Sequence, residues 1–348
     1  MPAKLGFSVL TAFPDEAVAA SWRECLASAD FPSHYTSPEF FLEPFFVGRA
    51  PFTVLAMQEQ RVFGVLTGLK EARRVDCGGS LRPQVCCRRE ASLDEISRAL
   101  AEGLLAHLDR RDQYVTVYAW CPLAGFEQLG FRQRQRPDHQ SVVVLDLGLG
   151  TDELFKQFSE MRRRNIRRAI KNGVEVTEYE EDRDLGEYYE ILQHWCKFKQ
   201  LPLPSCETQR AAFKLRGNRF VLVARHEGRM IGVSIFRFQP GGLVEYSANC
   251  SRREDTKVRP NDLLMWRAIE WAAANRFRQF SMAGAHLFLR NFGGQVVTTQ
   301  RYALDRSPLR VHDFKESCVR LRRHLFHFLP DAIQTRIRRR LGRTVDAE

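Results

Sequence analysis

The sequence repeats one segment at an offset of 168 residues. Phe52–Val65 reads FTVLAMQEQRVFGV and Phe220–Val233 reads FVLVARHEGRMIGV, so Phe, Ala, Glu, Arg, Gly and Val recur in register. In each copy two apolar runs flank a polar stretch, at positions 58–61 and 226–229, which predicts a β-hairpin. A chain that carries the same hairpin twice is expected to fold as two copies of one domain.

The similarity continues after the hairpins. Leu81–Arg89 and Leu243–Arg253 are strand-like, and Arg-Arg-Glu marks their ends in both copies. A helix follows each of them. Ser92 and Glu95 form a capping-box pattern before the first helix, and Pro260 suits the first position of the second. This order of elements predicts an α/β fold of tandem duplicated domains, each a twisted mixed sheet flanked by helices.

Length and charge bound the organisation further. The 348 residues suit about two domains. We expect an N-terminal, degenerate copy over residues 1–150, a C-terminal copy with the active site over residues 151–310, and a basic amphipathic helical tail over residues 311–348. The formal net charge of +11 favours anionic partners such as nucleotides, RNA or a lipid surface.

Several classes of protein find no support. The nine cysteines show no Cys-x-x-Cys spacing, which favours reduced thiols in a cytosolic protein. The N-terminal stretch lacks the pattern of a secretory signal, and no apolar run reaches the ~20 residues of a spanning helix. We therefore expect a cytoplasmic protein. The absence of Gly-x-Ser-x-Gly, His-Glu-x-x-His and P-loop motifs leaves hydrolase and NTPase readings unsupported.

A cationic amphipathic helix is predicted between the copies, over Thr151–Asn172, with Thr151 as its cap. Its apolar side comprises Leu154, Phe158, Met161, Ile166, Ala169 and Ile170. Its cations are Arg162, Arg163, Arg164, Arg167, Arg168 and Lys171. Most of them face away from the apolar side, as an anion-binding surface or a merely solvated face. Asn165 lies on the apolar side, where a buried amide needs partners.

A phosphate site is predicted at Val258–Asp262, where a strand leads into the buried helix of the second copy. The N–H groups of a helix N-terminus attract anions, and Arg259 adds a full charge beside Asn261. Further cations in the same loop are Arg252, Arg253 and Lys257. The alternative is a simple helix cap by Asn261 or Asp262.

Four polar residues of the second copy lie at strand ends or in the loops after them, namely Tyr246, Asn249, His286 and Arg290. If the central sheet splays there, these residues line a reaction cleft. His286 is then the candidate base, although a single histidine is more often structural.

The C-terminal stretch interleaves arginines with apolar residues from Arg320 to Leu341. A basic amphipathic helix of this kind lies on an anionic membrane or contacts RNA. It can equally be a solubilising terminus, and the sequence leaves these alternatives open.

These motifs together resemble the FemAB-related branch of the GNAT acyltransferase superfamily. The resemblance rests on residues 163–174 (RRNIRRAIKNGV), 223–232 (VARHEGRMIG), 260–266 (PNDLLMW) and 288–294 (FLRNFGG). It implies two GNAT-like domains that transfer an acyl or aminoacyl group to an amine, in a cleft near the domain junction. Members of this branch use aminoacyl-tRNA to build peptidoglycan cross-bridges, and some relatives are linked to exopolysaccharide production.

Two departures from the family pattern bear on mechanism. The last motif usually has a lysine at the position of Leu289, so the neighbouring Arg290 supplies the charge or the role is lost. Acetyl-CoA enzymes of the superfamily have a glycine-containing pyrophosphate loop, whereas Arg252–Pro260 and Pro83–Ala91 contain no glycine. Without glycine the backbone approaches a pyrophosphate less closely, which argues against the usual mode of CoA binding.

The resulting hypothesis is direct transfer, in which a neutral amine attacks the carbonyl of an activated donor. The residues expected to bind donor or substrate are Arg163, Asn165, Arg167, Asn249, Arg259 and Asn261. The arginines among them are expected to hold phosphates. Arg290 or strand N–H groups stabilise the oxyanion, and His286 or a water chain from Tyr246 takes the proton.

No tightly bound cofactor and no metal are expected, and acyl-CoA enters as a co-substrate, with aminoacyl-tRNA as the other donor. The expected acceptor is an amine of a cell-envelope or polysaccharide precursor, and no DNA contact is expected. One alternative is a non-catalytic module that binds RNA or an anionic membrane. Another is an enzyme of the membrane surface that acts on lipid-linked saccharides. The expected location is cytoplasmic, with peripheral contact to the inner membrane through the tail.

Overall fold

A computed structural model describes residues 5–79, 82–83, 85–134 and 141–327. Two mixed β-sheets flanked by helices make up these residues, which confirms the predicted α/β class. The strands are β1 Gly6–Leu10, β2 Ala50–Gln58, β3 Arg61–Glu71, β4 Arg74–Gly79, β5 Arg82–Pro83, β6 Val85–Cys87, β7 Tyr114–Ala119, β8 Arg132–Gln133, β9 Ser141–Asp146, β10 Glu175–Glu178, β11 Arg219–His226, β12 Arg229–Phe238, β13 Leu243–Ser251, β14 Gln279–Ser281, β15 Gln295–Thr298 and β16 Gln300–Asp305. The helices are α1 Glu16–Ser28, α2 Leu93–His107, α3 Ala124–Gln128, α4 Thr151–Gln157, α5 Glu160–Lys171, α6 Glu181–Lys199, α7 Cys206–Phe213, α8 Pro260–Ala274, α9 Leu287–Arg290 and α10 Val311–His327.

The first sheet has the strand order β1-β2-β3-β4-β7-β16-β8, with β5 paired to β4 and β6 paired to β3. Helix α2 lies on this sheet and buries its apolar stripe, Ile96, Leu100 and Leu104, against the strands. Its start is capped as predicted, because the Ser92 hydroxyl accepts a hydrogen bond from the Glu95 N–H at 3.4 Å.

Both predicted hairpins are present, as β2–β3 and β11–β12. The register shifts between Ala56 and Met57 in the first hairpin and between Ala224 and Arg225 in the second, again 168 residues apart. The internal repeat is therefore reproduced in backbone irregularities as well as in side chains.

The second sheet has the strand order β10-β11-β12-β13-β14-β9-β15. Helices α5 and α8 lie on one face, where Leu264 and Phe236 belong to the largest apolar cluster. Helix α6 covers the other face through a second cluster that includes Tyr188 and Val233. Most residues of α8 are buried, which confirms the buried helix predicted from its apolar sequence.

The two sheets exchange strands. Strand β9, from the expected first domain, pairs with β14 and β15 in the second sheet. Strand β16, from the expected second domain, pairs with β7 and β8 in the first sheet. The expected boundary at residue 150 therefore does not separate the sheets. An apolar strand looks the same in sequence whichever sheet it joins, so only the tertiary structure reveals the exchange.

The cationic segment forms two helices instead of the single predicted one. The first helix ends at Phe158, where the backbone is extended with a ψ of 144°. The Ser159 hydroxyl then caps helix α5 by accepting a hydrogen bond from the Arg162 N–H. Thr151 begins α4 but does not cap it. Phe158 is buried in the core, as predicted, whereas Met161 and Ile170 are exposed, contrary to prediction.

A buried charged cluster joins the two halves. The Glu43 carboxylate, from the first half, lies 2.8 Å from Arg219 Nη2 and 3.4 Å from Arg237 Nη2 on the second sheet. His34 Nε2 lies 3.2 Å from the same carboxylate oxygen. Burial lowers the pKa of His34 to about 4, although Glu43 opposes this shift. These contacts dock the first half on the second sheet.

The predicted tail begins as helix α10, which is attached to the first sheet by charged side chains. Glu316 Oε1 accepts from Tyr114 Oη at 2.6 Å and from Arg301 Nη2 at 2.5 Å. Phe314, Leu321 and Leu325 are exposed. The tail from residue 328 onwards lies outside the described residues.

Candidate functional site

Strands β13 and β14 separate after three residue pairs. Their parallel pairing runs from Leu243 beside Gln279 to Glu245 beside Ser281, whereas β13 continues to Ser251. The opening between β13 beyond Glu245 and the chain beyond Ser281 is called the strand cleft here. Ligands of α/β sheets bind at such carboxyl ends of parallel strands. The end of this pairing is consistent with the splay that the candidate cleft requires.

A β-bulge at Ser247 decides which side chains share a face of β13. Tyr246 lies opposite Phe236 and Asn249 lies opposite Ser234, so Ser247 is the extra residue of the ladder. Because Phe236 and Ser234 are two positions apart on β12, they lie on one face. Tyr246 and Asn249 therefore share the α8 side of the sheet, although residues three apart in a regular strand face opposite sides.

Tyr246 is suited to donate a proton rather than to remove one. Its ring centroid lies 5.8 Å from that of Phe236, against the α8-side core. Burial raises the pKa of the Tyr246 phenol above its ordinary value. The hydroxyl therefore keeps its proton at neutral pH and can donate a hydrogen bond to a developing negative charge.

The N-terminus of α8 follows β13 after a short connection that contains a 3-10 helix, Glu254–Val258. Arg259 adopts a left-handed conformation with φ 62°, and Pro260 occupies the first turn. Asn261 Nδ2 lies 3.5 Å from Ser251 Oγ, which ties the helix start to the end of β13. No side-chain hydrogen bond caps this helix. The positive end of α8 and the exposed Arg259 thus remain available to an anion, and the phosphate site stays a prediction.

A buried arginine connects α5, α8 and the loop around α9. Arg162 Nη1 lies 2.6 Å from Asp262 Oδ1, and its guanidinium lies 3.9 Å from the centroid of the Phe288 ring. Asn165 is buried, as predicted, and its Nδ2 donates to the same Asp262 oxygen at 3.4 Å. Asp262 therefore neutralises the charge of Arg162, accepts a hydrogen bond from Asn165 and holds α5 against the start of α8.

The remaining cations of α5 form its exposed face. Arg163 Nη1 donates to the Lys156 carbonyl oxygen at 2.6 Å, and the Arg167 guanidinium lies 5.7 Å from the Phe155 ring centroid. Both arginines thus contact α4, not Arg259. Further exposed cations of this helix are Arg164, Arg168 and Lys171.

The α9 region lies beyond the carboxyl end of β14. His286 precedes α9 and is exposed, with its ring 6.1 Å from Phe288. Leu289 is buried in the core, whereas Arg290 faces solvent and its Nε donates to the Ala285 carbonyl at 2.6 Å. The charge of Arg290 therefore lies on the solvent side, whereas the side chain at position 289, where the family usually has a lysine, faces the core.

The assembled site offers cations, a helix N-terminus and a phenol donor, but no activated nucleophile. Cys250 on β13 lies in the α6-side core, and burial raises its pKa to about 12. A thiol with such a pKa stays protonated and unreactive. The arrangement favours direct transfer over an acyl-cysteine intermediate.

Arg162 was expected among the cations that mostly face away from the apolar side, and the structure places it in the core. Its position three residues before Asn165 was the available signal, because residues i and i+3 of a helix share a face. Arg82 and Glu245 were also missed, and no local pattern in the sequence singles them out.

The described residues contain no group of three or more side chains that could hold a metal. All nine cysteines are free thiols, and Cys318 is exposed whereas Cys25 and Cys77 are buried. None of the described helices is long and apolar enough to span a bilayer.

Comparison with known families identifies the second half. Residues 160–288 match the family described as Acetyltransferase (GNAT) domain. No curated protein matches the sequence. This match bears out the predicted GNAT superfamily for residues 160–288, and acyl transfer is the general reaction of that superfamily. The superfamily uses acyl-CoA as a co-substrate and not as a resident cofactor, as expected for this chain.

Solved structures establish the tandem arrangement. FemX has a TM-score of 0.64 at 12% identity, over 84% of this chain and 97% of its own. A tandem GNAT protein from the clavulanic acid biosynthesis pathway has a TM-score of 0.56 at 15% identity, over 88% and 99%. The C-terminal domain of a putative lysylphosphatidylglycerol synthetase from Agrobacterium fabrum has a TM-score of 0.57 at 9% identity, over 87% and 96%. These likenesses confirm the predicted fold of paired GNAT-like domains.

Proposed function

We propose that this chain, whose residues 160–288 form a GNAT-type domain, transfers an acyl or aminoacyl group from an activated donor to an amine of a cell-envelope or polysaccharide precursor. The observation that carries the proposal is the strand cleft at the positive end of α8. The class of acceptor rests on the resemblance to the FemAB-related branch and on the likeness to FemX.

In this proposal the donor phosphates bind at the N-terminus of α8. Arg259 supplies charge there, and backbone N–H groups of the first turn supply hydrogen bonds. The left-handed backbone at Arg259, with φ 62°, takes the conformation that glycine adopts most easily, so the turn forms without glycine. Arg163 and Arg167 on the neighbouring α5 provide further positive charge, which can bind the phosphates of a larger donor such as aminoacyl-tRNA.

The reaction is a direct attack of a neutral amine on the donor carbonyl. A bond forms between the amine nitrogen and the carbonyl carbon, and the bond to the thiol or alcohol leaving group then breaks. His286 is the proposed base for the amine proton. Tyr246 and Asn249, on one face of β13, donate hydrogen bonds to the oxyanion or the leaving group. Arg290 has no part in this step, because its side chain faces solvent and donates to the Ala285 carbonyl.

The first test is a thermal shift measurement with coenzyme A and a series of acyl-CoAs, at low and moderate salt. A ligand that binds only the folded state stabilises it by about 2.7 kcal/mol at a hundredfold excess over Kd. Saturable, acyl-dependent stabilisation is expected if the donor is a thioester. Without a shift for any CoA, aminoacyl-tRNA becomes the donor to test, and failure of both contradicts the proposal.

Arg259→Gln identifies where the donor binds. We expect this variant to lose most of the ligand-induced shift, because the charge at the helix start is removed. Arg267→Gln, on the exposed side of the same helix and paired with Glu270, is the matched control and is expected to keep the shift. Equal shifts in both variants would contradict the placement of phosphates at α8.

Contact with an anionic membrane is a second candidate property, favoured by helix α10. This helix is attached to the first sheet by Glu316 and leaves Phe314, Leu321 and Leu325 exposed on its outer side. An exposed apolar stripe on a basic tail suits a membrane interface. Such contact would place a cytoplasmic enzyme at the inner membrane, where lipid-linked acceptors occur.

Co-sedimentation with phosphatidylglycerol-containing vesicles tests this contact. The double variant Phe314→Glu, Leu321→Glu is expected to release the protein from such vesicles. Val47→Glu, at an exposed apolar position on the first half, serves as the control and should still bind. Absence of binding by the unmodified protein would exclude the membrane role.

A further inference from the structure

The strand that carries the bulge in the second sheet corresponds to an interrupted strand in the first. β13 runs past β12 with one extra residue, Ser247. In the first sheet β3 pairs with β4 and then with β6, and β5 lies between them in the chain. This interruption carries Arg82, on β5, which reaches the second half of the molecule.

Arg82 contacts both residues that shape the strand cleft. Its Nε lies 2.8 Å from Glu245 Oε1, and its Nη2 donates to the Ser247 carbonyl oxygen at 2.7 Å. Glu245 is the last residue of β13 that pairs with β14, and Ser247 is the bulge. One side chain thus holds both the point where the strands part and the residue that shifts the ladder.

The contact also joins two opposite charges. The Glu245 side chain is 4% exposed, and burial raises the pKa of its carboxyl group, which Arg82 and Arg237 oppose. A buried carboxylate that loses its ion pair is strongly unfavourable. The Arg82 guanidinium is itself held over the Tyr35 ring, 5.5 Å from its centroid, so its position is set by the first half.

We propose that Arg82 is a positioning residue for the transfer reaction. By holding the bulge at Ser247, it keeps Tyr246 and Asn249 on one face of β13 beside the strand cleft. The first half then shapes the active site of the second without touching the reacting groups. The link to catalysis rests on the proposed function, whereas the effect on the bulge does not.

Amide hydrogen exchange on the full chain tests the effect on the bulge. In Arg82→Gln the amides of residues 247–250 are expected to exchange about tenfold faster, while the β11–β12 hairpin is unchanged. Arg82→Lys keeps the charge and is expected to lie between this variant and the wild type. Arg98→Gln, which breaks the exposed ion pair with Glu102 on α2, is the control. Unchanged exchange at residues 247–250, or equal acceleration across the sheet, would overturn the proposal.

Kinetics with the acyl-CoA that stabilises the protein most give the second readout, as thiol release. In Arg82→Gln we expect kcat to fall about tenfold or more, because the reacting groups are misplaced, with KM for the donor nearly unchanged. Adding Glu245→Gln should cause little further loss, since both residues act on the same bulge. A rise in KM alone, or additive losses, would contradict the role. A wild type that is inactive with acyl-CoA and with aminoacyl-tRNA would refute only the proposed function, because the exchange result then decides on Arg82 by itself.

Discussion

Buried charges in this protein are compensated by partners far away in the sequence. Arg162 pairs with Asp262, a hundred positions later, and Glu43 lies between Arg219 and Arg237. Each of these groups would be strongly unfavourable in the core alone, because desolvation of an unpaired charge exceeds what packing returns. The pairs therefore fix which helix or strand lies against which other one.

The pair of Arg162 and Asp262 gives a stability prediction. Asp262→Ala leaves the arginine buried without its carboxylate, so we expect a loss of about 3–5 kcal/mol in the free energy of unfolding. The double variant Arg162→Met, Asp262→Leu should be more stable than Asp262→Ala, because it leaves no unpaired charge. Glu270→Ala, which breaks an exposed pair on the same helix, should cost at most about 1 kcal/mol. Urea unfolding measures all three, and equal losses in the two alanine variants would contradict the argument.

His34 gives a prediction for pH. Its pKa is lowered from the ordinary 6.5 to about 4 by burial. As pH falls through this window, the unfolded chain binds a proton that the folded chain refuses, so stability decreases by on the order of 3 kcal/mol. His34→Gln should flatten this part of the pH profile. Between pH 6.5 and 5 the comparison is least affected by Glu43, whose ordinary pKa is 4.5. Parallel profiles for both proteins would show that His34 does not titrate in this way.

At the scale of elements, backbone irregularities place the functional groups. The bulge at Ser247 brings Tyr246 and Asn249 to one face, and the break at Phe158 turns a single helical pattern into α4 and α5. Gly294 is a third such point, before β15, with φ 90°. Each irregularity is held by contacts with other elements and not by its own residues alone.

Gly294→Ala is expected to destabilise the protein. An added Cβ would lie 2.7 Å from the Val144 carbonyl oxygen on β9, and the left-handed backbone alone costs a non-glycine residue about 1–2 kcal/mol. Gly186→Ala is the matched control, because this glycine lies in helix α6 with nothing within 4 Å of the added Cβ. That variant should gain about 0.5–1 kcal/mol. Thermal unfolding of both variants tests the contrast, and a neutral Gly294→Ala would refute it.

At the scale of the molecule, the two halves form one cooperative structure. β9 and β16 each complete the sheet of the other half, and the Glu43 cluster and Arg82 add buried polar contacts across the junction. Removal of either half would leave sheet edges and buried charges exposed. The first half thus stabilises the second, whatever it binds on its own.

We therefore expect one unfolding transition for the intact chain, with equal calorimetric and van't Hoff enthalpies. The separate fragments 1–150 and 151–348 should be unfolded or aggregated by circular dichroism, because each lacks a strand of its sheet. Co-expression should restore a soluble complex. A fragment 151–348 that melts cooperatively by itself would contradict this expectation.

The sequence alone was sufficient to predict the repeated hairpins, the Ser92 cap, the start of a helix at Pro260 and the inward position of Asn165. These features depend on residues within about one or two turns of each other, so local periodicity and capping chemistry reveal them. The order of the motifs also sufficed for the GNAT superfamily and for acyl transfer as the general reaction.

The tertiary structure decided the strand exchange, the shared face of Tyr246 and Asn249, the burial of Arg162 and the reach of Arg82 to the strand cleft. Each depends on a partner between 100 and about 190 positions away, or on a one-residue change of register. In a strand, such a change reverses the face of every following side chain. No local pattern encodes that choice, because an apolar strand or an arginine has the same neighbours in sequence under either outcome.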